Sequence, residues 1–578
     1  MREEYPRPSF VRNNWECLNG KWEFYNDLGA SGEDRRIYRS EKFDCEINVP
    51  FCPESSLSGI GYLDFMPSVW YARNIDMTQT RLSGRVLLHI GACDYTTTVY
   101  VNAQSVGRHT GGYTSFSFDI TDYLRDGTNR LVIHALDDPR SNRQPLGKQC
   151  RKYFSCGCDY TRTTGIWQTV WLEYVPKLYL EKVKVTATDL GGLVVLEPRL
   201  NRYAANATLR TEVSFQGKKV CENEFRLSGT TSVCAFSVPN PKLWNVGEPN
   251  LYDIRYTLYK NGKQIDEVTS YFGIRRIDID GYRVLLNGKP VFQKLILDQG
   301  FYPDGVYTAP SDDALKRDIE LSMKLGFNGA RLHQKVFEER YLYHADRAGY
   351  LVWGEFPDWG ADITRLDALH EILPQWLECI ERDFNHPCIV VWCPHNESWD
   401  VDRRSQIDSN IFLLYEATKR VDPTRPVIDT SGVYHTDKTD IFDIHDYEQN
   451  PDTFASSLQR HAAGEYHVKF PERQSYRGDI PYMISEYGGI HWNNNEKDLE
   501  GWGYGDSPKT EEEFVSRYCA LTQAIFSAKN ISGFCYTQLT DVEQEKNGLY
   551  YFDRSPKFSQ KAYEKIRKTN GSKAAIEE

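Results

Sequence analysis

Apolar and polar residues alternate through much of the first half of the chain, which is the pattern of half-buried β-strands. Residues 85–110 and 119–136 alternate in this way, carry many β-branched side chains and are separated by turn residues. A second strand-rich stretch follows, with the length and turn spacing of an immunoglobulin-like sandwich. The pattern therefore predicts two all-β domains, over residues 1–177 and 178–274.

In the second half of the chain, fully apolar runs of strand length alternate with segments of helical period. Ser311 can N-cap a helix that ends at Gly326, and Trp376 and Ile380 lie four residues apart on one helical face. Eight strands with intervening helices in about 300 residues predict a (β/α)8 barrel over residues 275–578. The predicted strands are 291–298, 327–333, 350–356, 388–397, 426–431, 441–447, 482–488 and 532–539.

Composition narrows the class of protein. The 578 residues suggest three or four domains, and the net charge of −12 disfavours nucleic acids and anionic membranes as partners. There is no run of about 18 apolar residues, so we expect no membrane span. Residues 1–24 lack the apolar core of a signal peptide, so we expect a cytoplasmic protein unless a leader has been removed. The 14 cysteines match no zinc pattern and are interpreted as reduced thiols.

The candidate chemistry lies at the carboxyl ends of the predicted barrel strands, where reactive groups of such barrels are found. Glu397 and Glu486 each follow an apolar strand directly, and function is a common reason to tolerate the desolvation cost of such a carboxylate. Trp492, just beyond the second of these strands, is either a platform for a sugar ring or loop packing. Further candidates at strand ends are Asp298, Arg331, His333, Glu355, Asn396, His445 and Tyr447.

Two carboxylates that face each other across a barrel mouth can cleave a glycosidic bond. One protonates the leaving oxygen and the other attacks the anomeric carbon; a gap of about 5–5.5 Å gives retention, and about 6.5–9.5 Å gives inversion. The structural alternatives are a salt-bridge role for each glutamate and for Arg331, and a core position for His333 and His445. A pair of glutamates, one preceded by asparagine, favours catalysis.

Sequence motifs carry a resemblance to a known family over essentially the whole chain. They are LNGKWEF, VWYARNI and TTGIWQTVWLE, then YFGIRRI, then FNGARLH, RDFNHPCIVVWCPHNES and ISEYGG. In these motifs the chain resembles glycoside hydrolase family 2, the group of β-galactosidases, β-glucuronidases and β-mannosidases. The resemblance implies a jelly-roll sugar-binding domain, an immunoglobulin-like domain and a catalytic (β/α)8 barrel.

The resemblance also implies roles for individual residues. It makes Glu397 the acid/base, whose pKa must stay raised, and Asn396 the residue that binds the sugar 2-hydroxyl. It makes Glu486 the nucleophile, Arg331 a residue that steadies that carboxylate, and Tyr447 its hydrogen-bond donor.

Three departures from the family pattern bear on the substrate and on a metal. Asp298 stands near the place of a histidine in β-galactosidases and β-glucuronidases. Residues 357–359 read Pro-Asp-Trp where large β-galactosidases bind magnesium through Glu-x-His, so we expect no metal. We also expect no organic cofactor. Residues 545–547 read Glu-Lys-Asn where β-glucuronidases carry the Asn-x-Lys pair that grips the uronate.

The sequence therefore predicts a retaining, exo-acting hydrolase of terminal β-glycosides, β-galactosidase-like because the uronate clamp is missing. β-Glucuronidase, β-mannosidase and arabinosidase-type activities stay open, as does transglycosylation. The rival from another class is a non-catalytic carbohydrate-binding protein, which the two carboxylates disfavour. The expected partner is a carbohydrate, and a homo-oligomer stays open.

Overall fold

The N-terminal part of the chain is an antiparallel β-sandwich. The computed structural model describes residues 2–401, 403–493 and 501–577. One sheet has, in spatial order, the strands Cys45–Val49, Gly20–Asn26, Ser68–Met77, Gly127–Leu136, Thr96–Val101 and Gln104–Thr110. The second sheet has Trp15–Cys17, Val170–Val175, Arg85–Ile90 and Phe116–Asp119, and a two-stranded ladder pairs Gly165–Ile166 with Cys93–Asp94. Alternating apolar residues of the two large sheets share one core.

A second, smaller sandwich follows. Its sheets contain Leu180–Thr186, Leu193–Leu200 and Cys234–Ser237 on one side, and Lys218–Arg226, Ala207–Phe215, Tyr252–Lys260 and Lys263–Phe272 on the other. These seven strands have a separate core, which confirms the expected immunoglobulin-like sandwich. A small three-stranded sheet then leads into the barrel, with strands Ile277–Asp280, Arg283–Leu286 and Lys289–Pro290.

The third part is a parallel barrel. Its regular strands are β1 (Gln293–Asp298), β2 (Gly329–Leu332), β3 (Leu351–Glu355), β4 (Ile389–Cys393), β5 (Phe442–Asp446), β6 (Tyr482–Gly488) and β7 (Gly533–Thr537). They pair in the order β4-β3-β2-β1-β7-β6-β5. The strands are apolar on both faces because helices cover the outside of the sheet.

The segment predicted as the strand 426–431 completes the barrel without being a regular strand. Parallel bridges join Trp392 to Val427 and Asn396 to Ser431, so the segment lies beside β4. On its other side Asp440, which precedes β5, donates its N–H to the carbonyl of Val427 at 2.9 Å. The eight-strand prediction is thus confirmed in placement, with seven regular strands in the described residues.

Helices connect the strands as the sequence pattern predicts. They are α1 (Asp312–Lys324), α2 (Glu339–Ala348), α3 (Leu366–Asp383), α4 (Asp408–Val421), α5 (Pro451–Ala462), α6 (Glu511–Ser527) and α7 (Gln560–Asn570). Ser311 caps α1 by accepting a hydrogen bond from the N–H of Ala314 at 3.1 Å. None of the helices in the described ranges is long and apolar enough to cross a bilayer. All fourteen cysteines lie in these ranges and are free thiols.

The N-terminal sandwich touches the mouth of the barrel through the loop 137–164, which connects the strands Gly127–Leu136 and Gly165–Ile166. The N–H groups of Leu146 and Gly147 donate to the carbonyl of Trp359 at 2.6 and 3.1 Å. Gly147 has a φ of +58°, and a Cβ there would lie 2.2 Å from the carbonyl oxygen of Gln334. Only glycine fits so close an approach, so this contact is specified by the sequence.

Candidate active site

Glu397 and Glu486 meet at the carboxyl end of the barrel. Glu397 lies four residues beyond β4, in the left-handed region at φ +46°, and its N–H donates to the carbonyl of Ser431 at 2.9 Å. Glu486 lies within β6, where the pairing with β5 shifts register. One oxygen of each carboxylate lies within 4.8 Å of the other. This separation matches the shorter of the two spacings that glycosidases use.

Arg331, at the end of β2, is the centre of the site and is fully buried. Its guanidinium donates to Glu355 at 2.5 Å and to Oε1 of Glu486 at 2.8 Å. It also donates to the side-chain oxygen of Asn396. Both interpretations of Arg331 therefore hold. The same side chain pairs with the buried Glu355 and contacts Glu486 in the site.

Tyr447 holds the other oxygen of Glu486. Its hydroxyl donates to Oε2 at 2.5 Å and lies 3.0 Å from the hydroxyl of Thr537. The ring of Tyr447 stacks on Tyr504 with centroids 3.4 Å apart. Because Arg331 and Tyr447 hold one oxygen each, the orientation of the Glu486 carboxylate is fixed.

His445, at the end of β5, lies between the two carboxylates. Its Nδ1 is 2.6 Å from Oε1 of Glu397, and its Nε2 is 3.3 Å from Oε1 of Glu486. Burial alone would lower the pKa of His445, but the two carboxylates outweigh burial and raise it. Burial would raise the pKa of Glu397, yet His445, Lys148 and Arg331 together lower it. The expected raised pKa of Glu397 is therefore wrong for this arrangement, because a histidine stands against the carboxylate.

Asn396 presents a free donor beside this pair. Its side-chain oxygen is bonded to Arg331, and among the residues described its buried Nδ2 has no hydrogen-bond partner. A buried amide without a partner carries a cost that a ligand oxygen would remove. The position fits the predicted contact with a sugar hydroxyl.

Residues 357–359 do not fit a metal site. Oδ1 of Asp358 accepts from Gln334 at 2.6 Å and from the N–H of Asn396 at 3.0 Å, and Oδ2 lies 3.1 Å from Nδ1 of His395. The flanking Pro357 and Trp359 offer no side-chain ligand atom. In the described residues the spacing of a metal site occurs only at Glu397, His445 and Glu486 themselves, which are already bound to one another, Arg331 and Tyr447.

Of the remaining predicted residues, His333 and Glu355 lie in the site, whereas Asp298 and Trp492 do not. Nδ1 of His333 lies 3.0 Å from Glu355, without hydrogen-bond geometry, and 4.0 Å from Glu486. Burial, reinforced by Lys148, lowers the pKa of His333 well below its usual value. His333 and Glu355 therefore belong to the site.

Asp298 and Trp492 are not brought to the carboxylate pair. Asp298 accepts from the N–H of Gly300 at 2.9 Å and from Tyr341 of α2, and burial followed by Asp318 raises its pKa to about 7. The Trp492 ring lies 6.4 Å from the rings of Phe514 and Phe558. Of the two interpretations of Trp492, loop packing is the one that these contacts favour.

Two residues near the site were missed from the sequence, Lys148 and Tyr160, whereas Glu545 was recognised there as standing at the place of the uronate clamp. Tyr160 donates to Glu545 at 2.5 Å, and Asn547 donates to the other oxygen of Glu545 at 2.9 Å. Nζ of Lys148 lies 3.8 Å from the centre of the Trp359 ring. Lys148 and Tyr160 belong to the loop 137–164 of the N-terminal sandwich. A search for polar residues at the ends of the barrel strands therefore could not find them.

A parallel barrel with a close carboxylate pair at its carboxyl end, joined to two β-sandwiches, is the architecture that the resemblance to glycoside hydrolases predicts. Models of glycosyl hydrolases family 2 match the sugar-binding domain over residues 20–176, a middle domain over 178–275 and the TIM barrel domain over 283–569. The chain belongs to glycosyl hydrolases family 2. This confirms the resemblance and the predicted fold class.

Relatives within the family carry two activities in their names. A putative β-glucuronidase of Formosa agariphila is 26% identical over 88% of this chain and 61% of its own length. A β-galactosidase of Thermoanaerobacter pseudethanolicus is 27% identical over 73% of this chain and 54% of its own length. The chain thus spans less than two thirds of these relatives. The crystal structure of Ruminococcus gnavus β-glucuronidase has the same fold, with a TM-score of 0.80, 18% identity and 99% of each chain covered.

Proposed function

We propose that this protein is a retaining, exo-acting β-glycosidase in which Glu486 is the nucleophile and Glu397 the acid/base. The observation that carries the proposal is the pair of carboxylate oxygens within 4.8 Å of each other. Glu486 attacks the anomeric carbon and forms a covalent glycosyl-enzyme, while the leaving oxygen takes a proton. Water then hydrolyses the intermediate with Glu397 as base.

The proton for the leaving oxygen is held by the pair of His445 and Glu397, 2.6 Å apart. Since the pKa of His445 is raised and that of Glu397 lowered, the imidazole is the stronger base in the resting site. Transfer along this short contact supplies the proton to Glu397 as the glycosidic oxygen develops charge.

The leaving group occupies a cleft of about 730 Å³ beside Glu397, between the loop 137–164 and the barrel. Trp359 and Trp399 are among the residues that line it, whereas Glu486 is not. A cleft that borders the acid/base but not the nucleophile accepts the aglycone. In this proposal the glycosyl residue binds beside Glu486, on the other side of Glu397 from the cleft, as exo action requires.

The sugar is a neutral, galactose-like residue in this proposal. The buried carboxylate of Glu545 occupies the region where β-glucuronidases place a clamp, and burial raises its pKa against the pull of Lys148. A second carboxylate from the substrate would be repelled there. The specific observation in favour of β-glucuronidase is Lys148, a buried cation whose charge acts on Glu545, together with the name of the Formosa relative.

Two assays test the proposal. An aryl β-galactoside and the matching aryl β-glucuronide are compared side by side, and we expect the neutral substrate to exceed the glucuronide at least roughly tenfold in kcat/KM. If the glucuronide is hydrolysed with the higher kcat/KM, the proposed neutral substrate is wrong. Labelling by a mechanism-based fluorosugar on a peptide without Glu486 would overturn the mechanism.

A further inference from the structure

Lys148 is a buried lysine whose ammonium has no hydrogen-bond or ion-pair partner in the described part of the chain. The residue is 5% exposed. Within residues 2–401, 403–493 and 501–577, its Nζ makes neither an ion pair nor a hydrogen bond, and its one specific contact is the face of Trp359 at 3.8 Å. A cation in this position costs free energy unless a hydrogen-bond acceptor is supplied.

The backbone on both sides of Lys148 is locked in place. The N–H of Gly147 donates to the carbonyls of Pro357 and Trp359 at 3.2 and 3.1 Å. The side chain of Gln149 donates to Asp94 at 2.8 Å and accepts from the N–H of Thr163 at 2.8 Å. This anchoring fixes where the lysine stem begins, so the ammonium is held in position before any ligand binds.

The ammonium lies over the face of Trp359, close enough to the carboxylates of the site to be influenced by them. Burial alone would lower the pKa of Lys148, but Cys158, Glu545, Glu397 and Glu486 together raise it. The ring of Trp359 beneath the ammonium donates its N–H to the carbonyl of Asn396, the residue before Glu397, at 2.9 Å, so the ammonium stands beside the acid/base, where the glycosyl residue must bind.

The loop 137–164 also sets the acceptor opposite the lysine. The carbonyl of Lys148 accepts from the N–H of Tyr160 at 2.7 Å, and the hydroxyl of Tyr160 holds Glu545 at 2.5 Å. One short stretch of the N-terminal sandwich thus positions a donor directly and an acceptor through Tyr160. A donor and an acceptor on two sides of a pocket read the hydroxyls of a sugar.

We propose that Lys148 is a specificity-determining residue that donates a hydrogen bond to one hydroxyl of the glycosyl residue, so that the sugar-binding domain completes the glycone pocket. The inference rests on the proposed function, since it presumes a neutral glycosyl residue beside Glu486.

The test is a thermodynamic cycle in which one substitution in the protein is combined with the removal of single hydroxyl groups from the substrate. Lys148→Met is compared with the wild type on a 4-nitrophenyl β-galactoside and on its 3-, 4- and 6-deoxy analogues. We expect Lys148→Met to lower kcat/KM on the parent substrate roughly 10- to 100-fold. For one deoxy analogue, kcat/KM should be the same in Lys148→Met and in the wild type, because the hydroxyl that Lys148 contacts is already absent from that analogue. Lys152→Met, an exposed lysine of the same loop, is the matched control and should behave as the wild type.

The outcomes separate this inference from the proposed function. If all deoxy penalties are the same in Lys148→Met and in the wild type, the lysine contacts no hydroxyl and the inference is overturned, while the proposed function stands. If the wild type prefers the glucuronide and Lys148→Met loses that preference alone, the hydroxyl assignment and the neutral substrate are both overturned. A drop in melting temperature with equal losses on every substrate would show a structural role only, and would also overturn the inference.

Discussion

Replacing Arg331 with methionine should damage both stability and catalysis, by separable amounts. Arg331 and Glu355 are both fully buried at their side chains and 2.5 Å apart. Removing one partner of a buried pair leaves an uncompensated charge, which costs about 3–5 kcal/mol. For a domain of this size that corresponds to a fall in melting temperature of roughly 6 °C or more. Because Arg331 also holds Glu486 at 2.8 Å, kcat should fall about 100-fold or more.

A double variant separates the two effects. In Arg331→Met with Glu355→Met the more deeply buried of the two orphaned carboxylates is gone, and Glu486 keeps its bond from Tyr447, so part of the melting temperature should return, whereas the activity should not. Arg276→Met, which breaks an exposed pair with Asp278, is the control and should change the unfolding free energy by at most about 1 kcal/mol. The assays are thermal unfolding by circular dichroism and initial rates on an aryl glycoside. A single variant as stable as the wild type, or a double variant that recovers activity, would refute the reasoning.

Four further predictions follow from the same site. Glu486→Gln should lower turnover by several orders of magnitude with an unchanged circular dichroism spectrum, and normal turnover would contradict its role as nucleophile. Glu397→Ala should impair substrates with poor leaving groups far more than activated phenols, since only the former need the proton; equal losses would argue against acid/base catalysis. In His445→Gln the imidazole that holds the proton in the resting site, and whose pKa is raised, is gone, so the proton must be held by the Glu397 carboxyl alone and the basic limb of the kcat/KM profile should move to lower pH; an unmoved limb or a shift to higher pH would contradict the pairing. EDTA should leave activity intact, because Pro357 and Trp359 lack ligand atoms and the Asp358 carboxylate is already bonded to Gln334 and Asn396; a loss restored by magnesium would show that this loop has been misread.

The positions of the catalytic candidates could be predicted because they depend on local pattern. Each barrel strand is an apolar run, and the first polar residues after it must lie at the barrel mouth. This reasoning places Arg331, Asn396, Glu397, His445 and Glu486 in one site, as the structure has them. It needs no knowledge of how the strands pack against each other.

The direction of a side chain at a strand end could not be predicted. Asp298 is the last residue of β1, but its carboxylate turns towards Tyr341 of α2 rather than into the barrel mouth. Successive residues of a strand point to opposite faces, so an error of one position in the end of a strand reverses the assignment. Lys148 was missed for another reason, since its neighbourhood with Trp359 exists only after two domains dock.

The loop 357–359 shows how the site is braced without the residues that bind magnesium in large β-galactosidases. The indole N–H of Trp359 donates to the carbonyl of Asn396 at 2.9 Å, and Asp358 accepts from the N–H of the same residue at 3.0 Å. Both backbone groups of Asn396, the residue before Glu397, are therefore tied to this loop. The face of Trp359 meanwhile carries the ammonium of Lys148, so a positive charge stands close to the acid/base. The loop thus performs two tasks that a bound ion and its ligands would otherwise share. It positions Asn396 through hydrogen bonds, and it holds the positively charged Lys148 close to the acid/base.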